Sequence, residues 1–242
     1  MRRFSADLHV HTCLSPCAEL DMTPARIVER AAEMGLDIIG ISDHNSAENV
    51  RVAVEAAARR GLTAFPSMEI TSSEEAHLLA VFDSADAALD MQALVYENLD
   101  PGVNDDRLWG TQVVVNADDE VMGFNRRLLI GATRLSLARL IDEVHRRGGL
   151  AVASHVDREA FSVISQLGFI PPELAFDALE VVGRGGGLAD LGGAPRVRFS
   201  DAHRLEDIGR RKTFFTMEEA SVAEMALALR GAGGRGVAGG AL

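Results

Sequence analysis

The stretch ADLHVHTCLSPCAEL, Ala6–Leu20, decides how the rest of the chain is read. Side chains alternate along a strand, so His9 and His11 are expected to project from the same side as Asp7, with Leu8 and Val10 on the other. One strand then offers two imidazoles to one ion. The competing reading is a pair of polar residues decorating an exposed strand end, and the triplet alone does not separate the two.

Further along, short apolar runs alternate with amphipathic stretches, the pattern of βα units in an α/β fold. A helix is expected in TPARIVERAAEMG, with Thr23 as its cap, Pro24 at its first position and Gly35 at its end. LDIIGIS reads as a buried strand, SAENVRVAVEAAARRG as the next helix, LTAFPSMEI and HLLAVF as strands, and SLARLIDEVHRRGG as a helix leading into the strand LAVAS. DALEVV, RVRFS and a helix in SVAEMALALRG complete the series. Residues 84–133 break the rhythm with a helix in SADAALDMQALVYENL and a hairpin in TQVVVNADDEVMGF. They are expected to be an insertion in a single domain spanning 1–230, followed by a disordered glycine-rich tail, 231–242.

Metal-ligand residue types fall where these strands finish. His9 and His11 end ADLHV, Asp43 and His44 follow LDIIGIS, Glu69 follows LTAFPSM, His155 follows LAVAS, and Asp201 and His203 follow RVRFS. The C-terminal ends of the strands of a parallel β/α barrel meet at one rim, where residues distant in sequence converge on one pocket. His77, at the start of HLLAVF, is near enough to Glu69 in sequence to reach the same place. Six of the seven histidines thus belong to the rim, and His145 alone sits mid-helix. Counting Glu69 and Asp201, eight candidate ligands exceed the roughly three protein ligands of one catalytic zinc, so at least two cations are implied. Mixed nitrogen and oxygen donors suit zinc, manganese or iron, and a glutamate among imidazoles suits bridging. Asp43 is either an acceptor that orients an imidazole or a cap for the following helix.

Composition bounds the rest. A chain of 242 residues with 47% hydrophobic content can bury a substantial core. Neither a signal-peptide stretch nor an apolar run of ~18 residues is present, so no membrane association and a cytoplasmic location are expected. Cys13 and Cys17, four apart, allow no disulfide framework. A net charge of −12 argues against general nucleic-acid binding but permits a phosphate substrate, because divalent cations reverse the local sign.

With DLHVHT, SDHN, SMEI, HLLAVF, ASHVDR and SDAH in this order from Asp7 to His203, the chain resembles the polymerase and histidinol phosphatase (PHP) superfamily. The resemblance implies a distorted seven-stranded β/α barrel holding two or three divalent cations, with His9, His11, His44, Glu69, His77, His155, Asp201 and His203 as ligands. It implies hydrolysis of phosphate esters by a metal-bridging hydroxide. Relatives often place an Asp or His in the loop after the first strand. This chain has CLSPCAEL there, which makes Cys17 a candidate ligand for an outermost ion, or else a small residue packed under the loop. Cys13 reads as packing or exposure.

Arg158 in HVDR and Arg184 after DALEVV are the candidates for holding phosphate, each against the alternative of an ordinary solvated arginine. A small phosphorylated substrate is the expected partner, of nucleotide, bisphosphate, sugar phosphate or histidinol phosphate type. Arg126, Arg127 and Arg134 of the insertion are available to select it. The alternatives are an amidohydrolase, a nuclease acting on oligonucleotide ends, and a non-catalytic metal-stabilised regulator. Many amidohydrolases bridge two metals with a carbamylated lysine, and the single lysine here, Lys212, lies past the last ligand pair.

Overall fold

Fully buried apolar runs alternate with one-sided helices in the computed structural model, which describes residues 1–183 and 193–239. In chain order these are β1 (Arg2–Val10), α1 (Pro24–Glu33), β2 (Ile38–Ile41), α2 (Val50–Arg59), β3 (Thr63–Thr71), β4 (His77–Val81) and α3 (Ala85–Asn98). There follow β5 (Val113–Val115), β6 (Val121–Phe124), α4 (Leu137–Arg146), β7 (Leu150–Ala153), α5 (Val163–Leu167) and β8 (Ala178–Glu180). The chain finishes with β9 (Arg196–Val197), β10 (Thr213–Met217), α6 (Val222–Leu229) and β11 (Gly236–Gly239). Thr23 occupies the position before α1, but its hydroxyl donates to Asp119 in the β5–β6 hairpin turn, at 2.7 Å, rather than capping the helix.

Strands β1, β2, β3, β4, β7, β8 and β9 lie side by side in that order. All neighbours are parallel except β4, which runs against both β3 and β7. The ring closes at its rim, where Ala202, just past β9, forms a parallel bridge with Val10. Asp7 secures that closure by accepting the backbone N–H groups of Ser200 and Gly209, each at 2.9 Å. The result is a distorted seven-stranded β/α barrel. At its base β10 pairs antiparallel with Arg2–Ala6, and β11 pairs antiparallel with β10. The tail therefore departs from the expected disorder as far as Gly239: its backbone completes a ladder, and Arg235 grips Glu224 of α6 with two hydrogen bonds of 2.7 Å.

One alternation rule fails at a decisive place. Between Asp7 and Val10 the pairing of β1 with β2 slips by a residue. Phe4, Ala6 and Leu8 consequently pack inside the sheet with Phe65, Leu79, Val152 and Phe199, while Val10 faces the helices. A bulge of this kind puts two successive side chains on one side. Thus His9 and His11 share the interior with Leu8, and Asp7 does not join them.

Helix α3 contributes Ala88, Met91 and Val95 to the same outer core as α1, α2 and α4. The β5–β6 hairpin that follows it leans on the loop after β1, with Cys13 buried against Val113 and Val115.

Candidate metal centre

Glu69 stands at the middle of the rim, and five imidazoles face it. His9 Nε2, His77 Nδ1 and His155 Nε2 lie 3.2, 3.0 and 3.2 Å from Oε1, and His44 Nδ1 and His11 Nε2 lie 3.2 and 3.5 Å from Oε2. Asp201 faces the group from the far side, with Oδ1 3.3 Å from His9, 3.2 Å from His11 and 3.7 Å from the Nδ1 of His203. His77 arrives because β4 is antiparallel: its first residue pairs with Thr71 and so lies at the C-terminal end of β3. All eight candidates from the strand ends are brought together, although they come from six places in the chain.

Three sets of donors each lie within 4.8 Å of one another: His9, His11, Glu69 and Asp201; His44, Glu69 and His77; and His11, His44 and His203. The Nε2 of His9 and the Nδ1 atoms of His44 and His77 are buried without a hydrogen-bond partner. Leaving such atoms unsatisfied is costly, and a divalent cation accepting their lone pairs removes the cost. The residues therefore fit a cluster of at least two cations. Glu69, with separate groups of imidazoles at its two oxygens, fits the bridging place.

Electrostatics prepare the donors for this. Burial is the largest influence on His11 and holds it down at about 4, with His203 adding to the effect; burial and then His11 push His44 well below the ordinary imidazole value. Burial also pushes His9 down, but Glu180, Glu69 and Asp201 outweigh it and hold His9 well above. Burial alone would raise both acids, yet His77 and His9 hold Glu69 well below the usual carboxylate range, and His9 and His11 do the same for Asp201. Ionised Glu69 and Asp201 beside neutral His11 and His44 are the state that metal ligation requires, whereas His9, held well above the ordinary value by its carboxylate neighbours, gives up a proton to join them.

A layer behind the ligands fixes them. Glu180, at the end of β8, accepts from His9 Nδ1 and from the His155 backbone N–H, the latter at 2.9 Å. The sequence reading passed over Glu180; its signal was a carboxylate closing an otherwise apolar strand. Ser15 bonds His11 Nδ1 at 3.0 Å and donates to Asp43 at 2.7 Å. Asp43 neither orients an imidazole directly nor caps α2. It accepts from the Thr12 N–H and hydroxyl and from Ser15, each at 2.7 Å, and reaches His11 through Ser15. Burial raises its carboxyl to about 6. Asn45 ties the segment after the hairpin to this rim by donating to the carbonyls of Leu129 and Gly131, each at 2.8 Å. Asn45, His155, Phe161 and Asp201 all adopt positive φ, and such strain clusters at functional sites.

A cleft of about 420 Å³ opens above the donors, and Ile130, Arg158, Ala160 and Phe161 contribute to its walls. Arg158 is half exposed and its guanidinium lies 2.5 Å from Asp201 Oδ2. Cys17 is not brought into the donor sets. It sits in a turn closed by the Ala18 N–H on the Ser15 carbonyl, exposed at the surface rather than packed beneath the loop, yet near enough to the donors that burial, then Glu69 and Asp201, push its thiol up to about 12. Arg184 lies outside the described residues. Lys212 donates to the carbonyl of Met34, at 3.3 Å, just past α1 at the opposite end of the barrel, so it is not placed to bridge metals as a carbamate.

Similar solved structures share this fold. The lesion-specific endonuclease PfuEndoQ from Pyrococcus furiosus superposes with a TM-score of 0.71 at 17% identity over 98% of this chain, which spans 58% of that protein. A protein assigned as a metal-dependent phosphoesterase from Bifidobacterium adolescentis gives 0.56 at 22% identity, over 82% of this chain and 87% of that one. An amidohydrolase from Chromobacterium violaceum, with sulfate and no metal bound, gives 0.57 at 18% identity, over 84% and 89%. No curated protein matches the sequence. The PHP domain profile, however, matches residues 7–162. With well over half its length matched and with the barrel and rim just described, the chain belongs to the PHP domain family.

Proposed function

We propose that this protein is a cytoplasmic metal-dependent phosphoesterase that hydrolyses small phosphomonoesters. The observation that carries the reading is the convergence of five imidazoles on Glu69 beneath a cleft with an arginine in its lining. Two or three divalent cations, of zinc, manganese or iron, supply charge neutralisation at the phosphoryl oxygens and a water of lowered pKa when bound. His9, His11, Glu69 and Asp201 would hold one, His44 and His77 with Glu69 a second, and His203 with His11 and His44 the outermost. Arg158, which lines the cleft in contact with Asp201, forks onto the phosphate oxygens above the donors. Hydrolysis breaks the ester P–O bond, water supplies the new oxygen, and the leaving alcohol departs with a proton. The cleft volume suits a substrate of small-molecule size.

A second reading, cleavage of nucleic acid, is favoured by the likeness to the endonuclease over 98% of this chain. The net charge of −12 opposes it. Phosphate release from a panel of small esters, run beside single-stranded and lesion-bearing oligonucleotides, separates the two. Turnover of small esters that is lost with chelator, and in Glu69→Gln with its metal content lowered, supports the first reading. Metal-dependent cutting of oligonucleotides with no ester turned over replaces it with the second.

A further inference from the structure

Phe161 carries an unexplained combination of features. Its φ of +58° lies in the left-handed region, where a bulky side chain is strained. The turn that imposes this is tightly tied. The Arg158 N–H bonds the His155 carbonyl at 2.9 Å, the Ser162 hydroxyl donates to the Arg158 carbonyl at 2.8 Å, and the His77 N–H donates to the Phe161 carbonyl at 2.8 Å. The ring nonetheless stays 43% exposed. It lies nearly parallel to the His77 imidazole, with centroids 4.8 Å apart and planes at 16°, and it forms part of the cleft wall. Ile130, held in place by Asn45 through its neighbours, contributes an apolar side chain to the same wall lining.

The cleft is thus divided by chemistry. Its floor is the donor cluster with Arg158, where a phosphoryl group belongs. The rest of its lining offers a flat ring and an aliphatic side chain, with Ala160 and the single carboxylate of Glu159 beside them. A ring held by the backbone loses little freedom when another ring stacks on it, and aromatic stacking accepts any flat π-system.

We infer that Phe161 is a stacking platform that selects phosphomonoesters whose leaving group carries a flat aromatic ring, such as a nucleobase on its sugar. The inference rests on the phosphoesterase reading for the reaction but not for the stack itself. Adenosine 5′-monophosphate and ribose 5-phosphate share the phosphate and the sugar carbon that bears it, and differ by the base. The metal-loaded protein should favour the first in kcat/KM by about tenfold, the order that one base–aromatic stack contributes. Phe161→Leu should bring the ratio near one, and Phe161→Tyr should keep it, with metal content checking that each variant is folded. No preference in the wild type, or a Phe161→Leu ratio unchanged from that of the wild type, overturns the inference and leaves the ring as a cover for His77. If no ester is hydrolysed, calorimetric binding of the same two compounds decides. A Phe161-dependent preference for the nucleotide then upholds the stack while the phosphoesterase reading falls, and equal binding overturns the stack as well.

Discussion

Glu180 receives His9 Nδ1 between its two carboxylate oxygens, at 2.9 and 3.1 Å, in a place where neither side chain is exposed. A carboxylate only accepts, so Nδ1 carries the proton and Nε2 is presented to Glu69 and Asp201. Glu180→Gln puts an amide in place of one acceptor and should lower metal affinity by roughly 10- to 100-fold, read by competition with a chromophoric chelator. An unchanged affinity would show that packing alone orients His9.

Cys17 is exposed and belongs to none of the donor sets. Cys17→Ala should therefore retain the wild-type metal content by elemental analysis, with stability altered by no more than about 0.5 kcal/mol, as at other unconstrained surface sites. Loss of about one metal per chain would instead establish a thiolate ligand.

The C-terminal strand should respond to acid. Arg235, first among the causes, lowers the Glu224 carboxyl from 4.5 to about 2 in the folded protein. A carboxyl with a depressed folded value contributes stability above its unfolded value and loses it as the pH falls through the folded one. The contribution is thus complete above about pH 5 and fades towards pH 2. Hydrogen exchange of Gly236–Gly239, corrected for its intrinsic pH dependence, should lose protection in that window, and Arg235→Ala should abolish the pH dependence.

Gly40 in β2 lies directly against the bulged segment of β1. A Cβ there would meet the Leu8 carbonyl oxygen at 2.4 Å and its carbonyl carbon at 2.8 Å, both backbone atoms with no room to move. Gly40→Ala should cost about 1–3 kcal/mol in denaturant unfolding, and metal occupancy should fall with it, because the same bulge aims His9 and His11. A variant as stable as wild type would mean that the two strands separate more easily than their pairing indicates.

What the sequence by itself determined was the set of ligands and the kind of scaffold. Strand ends are legible from apolar runs followed by turn residues, and in a parallel barrel those ends share one rim, so His9, His44, Glu69, His155 and Asp201 are neighbours by topology before any coordinate is known. What the tertiary structure decided depended on pairings that no local pattern records. The reversed direction of β4 places His77. The slip in β1 turns His9 and His11 inward while Asp7 is left to close the barrel. The ladder with β10 recruits a tail whose glycines predict no structure. Glu180 and Asp43 exchanged their apparent importance for the same reason. A hydrogen-bond partner is fixed by which elements meet, so the carboxylate beside His44 in sequence serves the loop of β1, and the one that holds His9 comes from 171 residues away.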